Sequence, residues 1–116
     1  EVKIEDFEAK RYDKQLDWAF NLRSAAGQAM GRLKISFDYK AEDPLMAMPK
    51  IEKGWDKAKS YVRKLLFRKK ASDFKGDVVA PLDQLSIELK KILTNAFFPD
   101  EDGMVSEVFI LDFIMQ

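Results

Sequence analysis

The chain closes on Met-Val-Ser-Glu-Val-Phe-Ile-Leu-Asp-Phe-Ile-Met-Gln, residues 104–116, and this stretch constrains what the rest can fold into. Between residues 108 and 114 β-branched and aromatic side chains dominate without Gly or Pro, which selects a strand. Under regular alternation Val108, Ile110, Asp112 and Ile114 point to one face, and Phe109, Leu111, Phe113 and Met115 to the other. Both rows are almost wholly apolar, so the expected strand is central and covered on both faces. Asp112 is the one charge in it and must reach a strand end, a donor or an interface. An acidic turn at 99–103, Pro-Asp-Glu-Asp-Gly, punctuates its start.

The receiving structure has to come from the remaining residues of a 116-residue chain, a length that suits one domain with its own core. With 34% charged and 47% hydrophobic residues the composition is that of a globular domain rather than a disordered tail. There is no cysteine, which removes thiol chemistry. There is no histidine either, which excludes imidazole catalysis and zinc sites built on His or Cys. No apolar run approaches the roughly 20 residues of a membrane helix. The chain begins at Glu1 without Met, so an anchor upstream of it stays open.

Residues 1–17 read as an irregular arm or short helix. Val2 and Ile4 alternate like a strand, whereas Ile4, Phe7, Arg11 or Tyr12, and Leu16 form a weak helical stripe. Trp18, Phe20 and Leu22 then alternate with Ala19, Asn21 and Arg23 as a half-buried strand. Residues 24–31 hold two glycines and small residues, a loop or a loosely formed hairpin connection. From Arg32 to Lys40 the alternation is strict, with Leu33, Ile35, Phe37 and Tyr39 inward.

Asp43 and Pro44 open a helix as cap and first residue. The helix should run to about Lys69, with Pro49 kinking it or marking its true start. Met48, Ile51, Trp55, Ala58, Val62 and Leu65 give it one apolar face. Residues 72–76 form a turn carrying Phe74. A second helix begins near Pro81, with Asp77 or Ala80 in its cap region, and buries Leu82, Leu85, Leu89, Ile92 and Ala96. The expected fold is α+β: a small, mostly antiparallel sheet with the two long helices packed on one face. An N-terminal arm occupies 1–17 and a single domain 18–116.

Formal net charge is zero, but residues 50–75 hold ten basic and three acidic residues, a local balance of +7. Residues 99–116 hold five acidic residues and no basic one. Lys53, Lys57, Lys64 and Arg68 lie on the solvent face of the first helix, either as an ordinary solvated face or as a surface for an acidic partner. Together with Phe109, Leu111 and Phe113 they make the candidate interaction surface. Nucleic acid is not an expected partner, because a net-neutral domain lacks the usual basic excess. A calcium loop around Asp100, Asp102 and Gly103 fails, since its first and last positions fall on Phe98 and Phe109. No catalytic residue, cofactor site or metal site is expected.

Arg32-Leu33-Lys34-Ile35-Ser36 is similar to the Arg-Tyr-Leu-Lys-Val strand of the FliL family, the flagellar basal-body-associated proteins. Val108-Phe109-Ile110-Leu111-Asp112-Phe113-Ile114-Met115-Gln116 resembles that family's C-terminal Val-Tyr-Phe-Thr-Asp-Phe-Val-Val-Gln. The order between them, from long helix to connector to Leu-rich helix and a Gly-x-Val-x-x-Val entry at 103–108, also resembles the family. Phe20-Asn21-Leu22 stands for its Val-Asn-Leu strand, unless an alternative register gives Phe7 that role. The resemblance covers about residues 20–116. It implies a stomatin-like periplasmic domain of a single-span inner-membrane protein, anchored by a helix upstream. It further implies a non-enzymatic scaffold that self-associates into a ring and supports the flagellar stator proteins. The alternative is a stomatin-like interaction module unconnected with motility.

Overall fold

The computed structural model describes residues 3–25, 27–76 and 79–115. Val2, Asp77 and Gln116, expected in the arm, in a cap region and at the end of the C-terminal match, lie outside the described residues.

The centre of the sheet is the alternating segment, extended into a 15-residue strand. The strands are β1 (Lys10–Arg11), β2 (Leu16–Ser24), β3 (Gly27–Ala41) and β4 (Gly103–Met115), and β3 pairs antiparallel with each of the others. β1 and β2 follow one another along one side of β3, and β4 takes the other. Leu33, Ile35 and Phe37 are fully buried and Tyr39 nearly so, as their spacing requires. The stretch expected to loop is mostly strand: Ser24 pairs with Gly27, closing a tight hairpin, and Gly31 continues β3. Glycine is needed at position 31, where a Cβ would come within 2.6 Å of the Phe20 ring.

β4 differs from its expected place in two ways. It lies at an edge, hydrogen-bonded to β3 only, and it carries two irregularities in register, opposite Lys34/Ile35 and Asp38/Tyr39. Each inserts one residue, Leu111 and Ser106, and so shifts the alternation. Val105, Val108, Ile110, Phe113 and Met115 face the helices, while Met104, Glu107, Phe109, Asp112 and Ile114 share the opposite face with Lys40, Asp38, Ser36, Lys34 and Arg32. What looked like two apolar rows is one apolar row and one mixed row. Asp112 sits exposed across from Lys34, which resolves the buried charge the regular alternation implied.

The helices are α1 (Pro44–Lys53), α2 (Trp55–Phe67) and α3 (Val79–Phe97), all on the core face of the sheet. Asp43 caps α1, its carboxylate accepting from the Leu45 amide at 3.1 Å. The long helix is divided at Gly54, and Pro49 lies inside its first part. There α3 passes so close that a Cβ would stand 2.4 Å from the Ala96 carbonyl oxygen. α2 covers β2 with Ala58, Val62, Leu65 and Leu66, and α3 covers β4 with Leu85, Leu89, Leu93 and Phe97. Leu66 and Leu93, absent from the expected stripes, are fully buried. A 3-10 turn at Ala71–Phe74 places Phe74 in the core, 4.6 Å from the Phe113 ring centroid.

The boundary expected at residue 17 does not separate arm from core. Leu16 opens β2, and Tyr12 is buried in the core, stacked 5.0 Å from Phe37 and tilted 5.8 Å from Trp55. A 3-10 turn at Ile4–Asp6 rests on β3 and β4, and Lys40 donates to the Glu5 carbonyl at 2.6 Å. Among the described residues no helix is long and apolar enough to cross a membrane.

Candidate functional site

Exposed basic side chains on a helix settle wherever its apolar stripe does not, so burial of Val62 and Leu65 turns Lys57, Lys64 and Arg68 to solvent. Lys53, at the end of α1, is exposed as well. The basic run is nonetheless partly used inside the molecule. Lys50 forms an ion pair with Asp102 of the acidic turn, and Lys69 pairs with Glu88 of α3 at 2.6 Å. Both pairs are half-buried and tie the helical layer together, so a share of the charge polarity is satisfied within the chain.

The remaining basic residues divide between two places. Lys53 and Lys57 border a recess against Phe97, Pro99 and Asp100, where Lys57 also lies 5.6 Å from the Tyr61 ring centroid. Lys64 and Arg68, with Arg63, edge a groove of about 450 Å³ between α2 and β2, whose floor includes Phe67 and Met30. Phe67 and Met30 are 46% and 57% exposed, an apolar floor under a basic rim. A neighbouring recess of about 390 Å³ continues the basic border with Arg23, Lys70 and Lys75.

The three candidate residues of β4 do not join this surface, nor one another. Phe113 belongs to the core, 5.4 Å from Phe20 and 4.6 Å from Phe74, because the irregularity at Leu111 reversed its side. Phe109 faces the other way, beneath the Arg11 guanidinium at 4.5 Å, and Arg11 also pairs with Asp38. Its cross-strand neighbour Ser36 is buried under the same cover. Leu111 is half-exposed and is the inserted residue opposite Lys34/Ile35. Phe113 is therefore withdrawn from the candidate surface, and Phe109 is already covered in part by the chain itself.

Arg63, Phe67, Met30, Ala19 and Asn21 complete the groove, and none of them belongs to the candidate surface expected from the sequence. Phe67 within a basic run was a visible signal. The strand edge that makes the opposite wall was not, since pairing partners cannot be read from β2 alone.

Chemistry elsewhere is sparse. Among the described residues no cluster of three or more Asp and Glu side chains is placed to hold a metal ion. Burial pushes the Tyr12 phenol up from its ordinary pKa, with Glu52, Asp13 and Tyr39 adding to the shift. Tyr12 is thus a neutral core aromatic at physiological pH, beside a recess shared with Lys14, Glu52 and Asp56. The chain matches no known family model and no curated protein.

Proposed function

We propose that this chain is the periplasmic domain of a membrane-anchored structural protein of the bacterial flagellar motor, a scaffold that associates with stator units. The observation that carries the reading is the relation between the two stretches resembling the FliL family. They are neighbours in the sheet, with Arg32 opposite Ile114, Leu33 opposite Phe113, Lys34 opposite Asp112 and Ile35 opposite Ile110. Two short similarities far apart in sequence thus form one contiguous structural unit. The basic face of α2 supports a role in contact, since charges left at a rim govern encounter and orientation more than fold stability.

The test is cellular. The full-length protein, fused to a fluorescent protein, should co-localise with flagellar motors, and loss of its gene should reduce swimming under viscous load. Diffuse envelope fluorescence together with unchanged swimming would overturn the motor assignment.

A further inference from the structure

The backbone N–H of Arg23 donates to the Lys69 carbonyl at 3.2 Å, on the side of β2 away from β3. Backbone groups alternate in direction along an antiparallel strand, so Asn21, Ala19 and Asp17 turn theirs to the same side as Arg23. Among the described residues no backbone group from outside the sheet reaches those three. The edge is therefore occupied at Arg23 and open from Asp17 to Asn21.

The two edges of the sheet are built differently. β4 is interrupted by two inserted residues, a device that discourages strand addition. β2 pairs residue for residue with β3 from Leu16 to Ser24, with no insertion and no proline. Its exposed side chains at the open part are Asp17, Ala19 and Asn21, of which Ala19 and Asn21 are small and uncharged. Beside it runs the groove whose floor is Phe67 and whose rim is Arg63, Lys64 and Arg68.

We propose that the open edge of β2 and this groove form a docking site for an extended segment of a partner protein, acidic and carrying a large apolar side chain. The segment adds to β2 as a further strand, its backbone meeting Asp17, Ala19 and Asn21. At about 3.3 Å per residue the open edge accommodates roughly five to seven residues. An apolar side chain fills the groove above Phe67, and acidic side chains meet Arg63, Lys64 and Arg68. The charge argues against a second copy joined through the same edge, since that would bring two such basic rims together. The inference rests on the sheet edge and the groove beside it, and does not require the motor assignment.

The probe is a fluorescein-labelled peptide, Glu-Val-Glu-Phe-Glu-Val-Glu, compared with its lysine counterpart by anisotropy at low salt. The acidic peptide should bind at least about tenfold more tightly than the basic one. Asn21→Pro removes an N–H that faces away from β3, so the sheet keeps its bonds while peptide affinity falls by about tenfold or more. On the unaltered protein, the amides of Ala19 and Asn21 should gain hydrogen-exchange protection when peptide is added. Equal affinity for both peptides, or binding without protection at those amides, overturns the proposal. Self-association abolished by Asn21→Pro would make the occupant a second copy and overturn it as well.

Discussion

The backbone amide of Val105, fully buried at the start of β4, donates to Thr94 Oγ1 of α3 at 2.9 Å. The same hydroxyl donates to the Lys90 carbonyl at 2.8 Å, so one side chain seals the edge of the strand and stays tied to its own helix. Thr94→Val keeps the shape and removes the acceptor. The stranded amide should lower stability by about 1–3 kcal/mol. Thr94→Ser keeps the hydroxyl and loses one methyl, for a cost of about 0.8 kcal/mol. Urea unfolding separates the two, and equal midpoints for the Val and Ser variants would show that the bond contributes nothing.

Gly54 makes a prediction of opposite sign to the usual helix rule. Its φ of −85° suits any residue, and replacing a helical glycine with alanine ordinarily stabilises by about 0.4–1 kcal/mol. Here the added Cβ would meet the Ala96 carbonyl at 2.4 Å, a backbone atom that cannot rotate aside. Gly54→Ala should therefore destabilise by about 1–3 kcal/mol, read as a lower Tm. An unchanged or raised Tm would mean that α2 and α3 are not in this contact.

The Tyr12 phenol supplies a pH dependence. Its folded pKa lies above the ordinary value of 10.0, chiefly through burial. Below pH 10 both states hold the proton and the group adds no slope. Above about 10 the unfolded chain loses the proton first, the native state then binds more protons, and stability falls as pH rises. Tyr12→Phe should remove that part of the alkaline fall, seen as a smaller loss between pH 9 and 11 (about two pH units spanning the ordinary phenol value) in paired denaturation curves. Identical slopes for the two proteins would place Tyr12 in solvent.

Much of this fold is legible from residue types alone, and the failures share a cause. The strict alternation of Leu33, Ile35, Phe37 and Tyr39 and the stripe of Leu85 and Leu89 point inward because sheet and helix have fixed periods. Leu89→Ala should accordingly cost about 2–5 kcal/mol. An inserted residue changes no residue type, so nothing in the local sequence marks Ser106 or Leu111 as breaks in the period, and the side assigned to Phe113 was reversed. The close approaches at Gly54 and Gly31 likewise involve neighbours remote in sequence, Ala96 and Phe20. The candidate surface follows the same division. Lys53, Lys57, Lys64 and Arg68 were readable from helix period, whereas the edge at Ala19 and Asn21 required the pairing of β2.

The exposed lysines should act on association and not on folding. Lys57 and Lys64 form no ion pair among the described residues, so reversing both to Glu should change stability by less than about 0.5 kcal/mol each. Association with an acidic partner should weaken both on this reversal and on raising salt, because charges at a solvated rim are screened within about 10 Å at 0.1 M. Binding indifferent to both changes would leave α2 with an ordinary solvated face.

Graded truncation tests the place of the arm. A cut after Ala9 removes the 3-10 turn at Ile4–Asp6 but leaves β1, the Arg11 cover on Phe109 and the buried Tyr12. The turn buries no residue fully, so this cut should lower stability by only about 1 kcal/mol and free the Lys40 side chain that donates to the Glu5 carbonyl. A cut after Lys14 also removes Tyr12, whose ring stacks on Phe37 and meets Trp55. Losing a buried aromatic of this size should cost about 3–5 kcal/mol, enough to unfold a domain of marginal stability. Chemical denaturation of the two truncations should therefore differ sharply although their cuts are close together. If both remain as stable as the full chain, Tyr12 is not part of the core. If both unfold, the turn at Ile4–Asp6 holds more of the structure than its partial burial indicates.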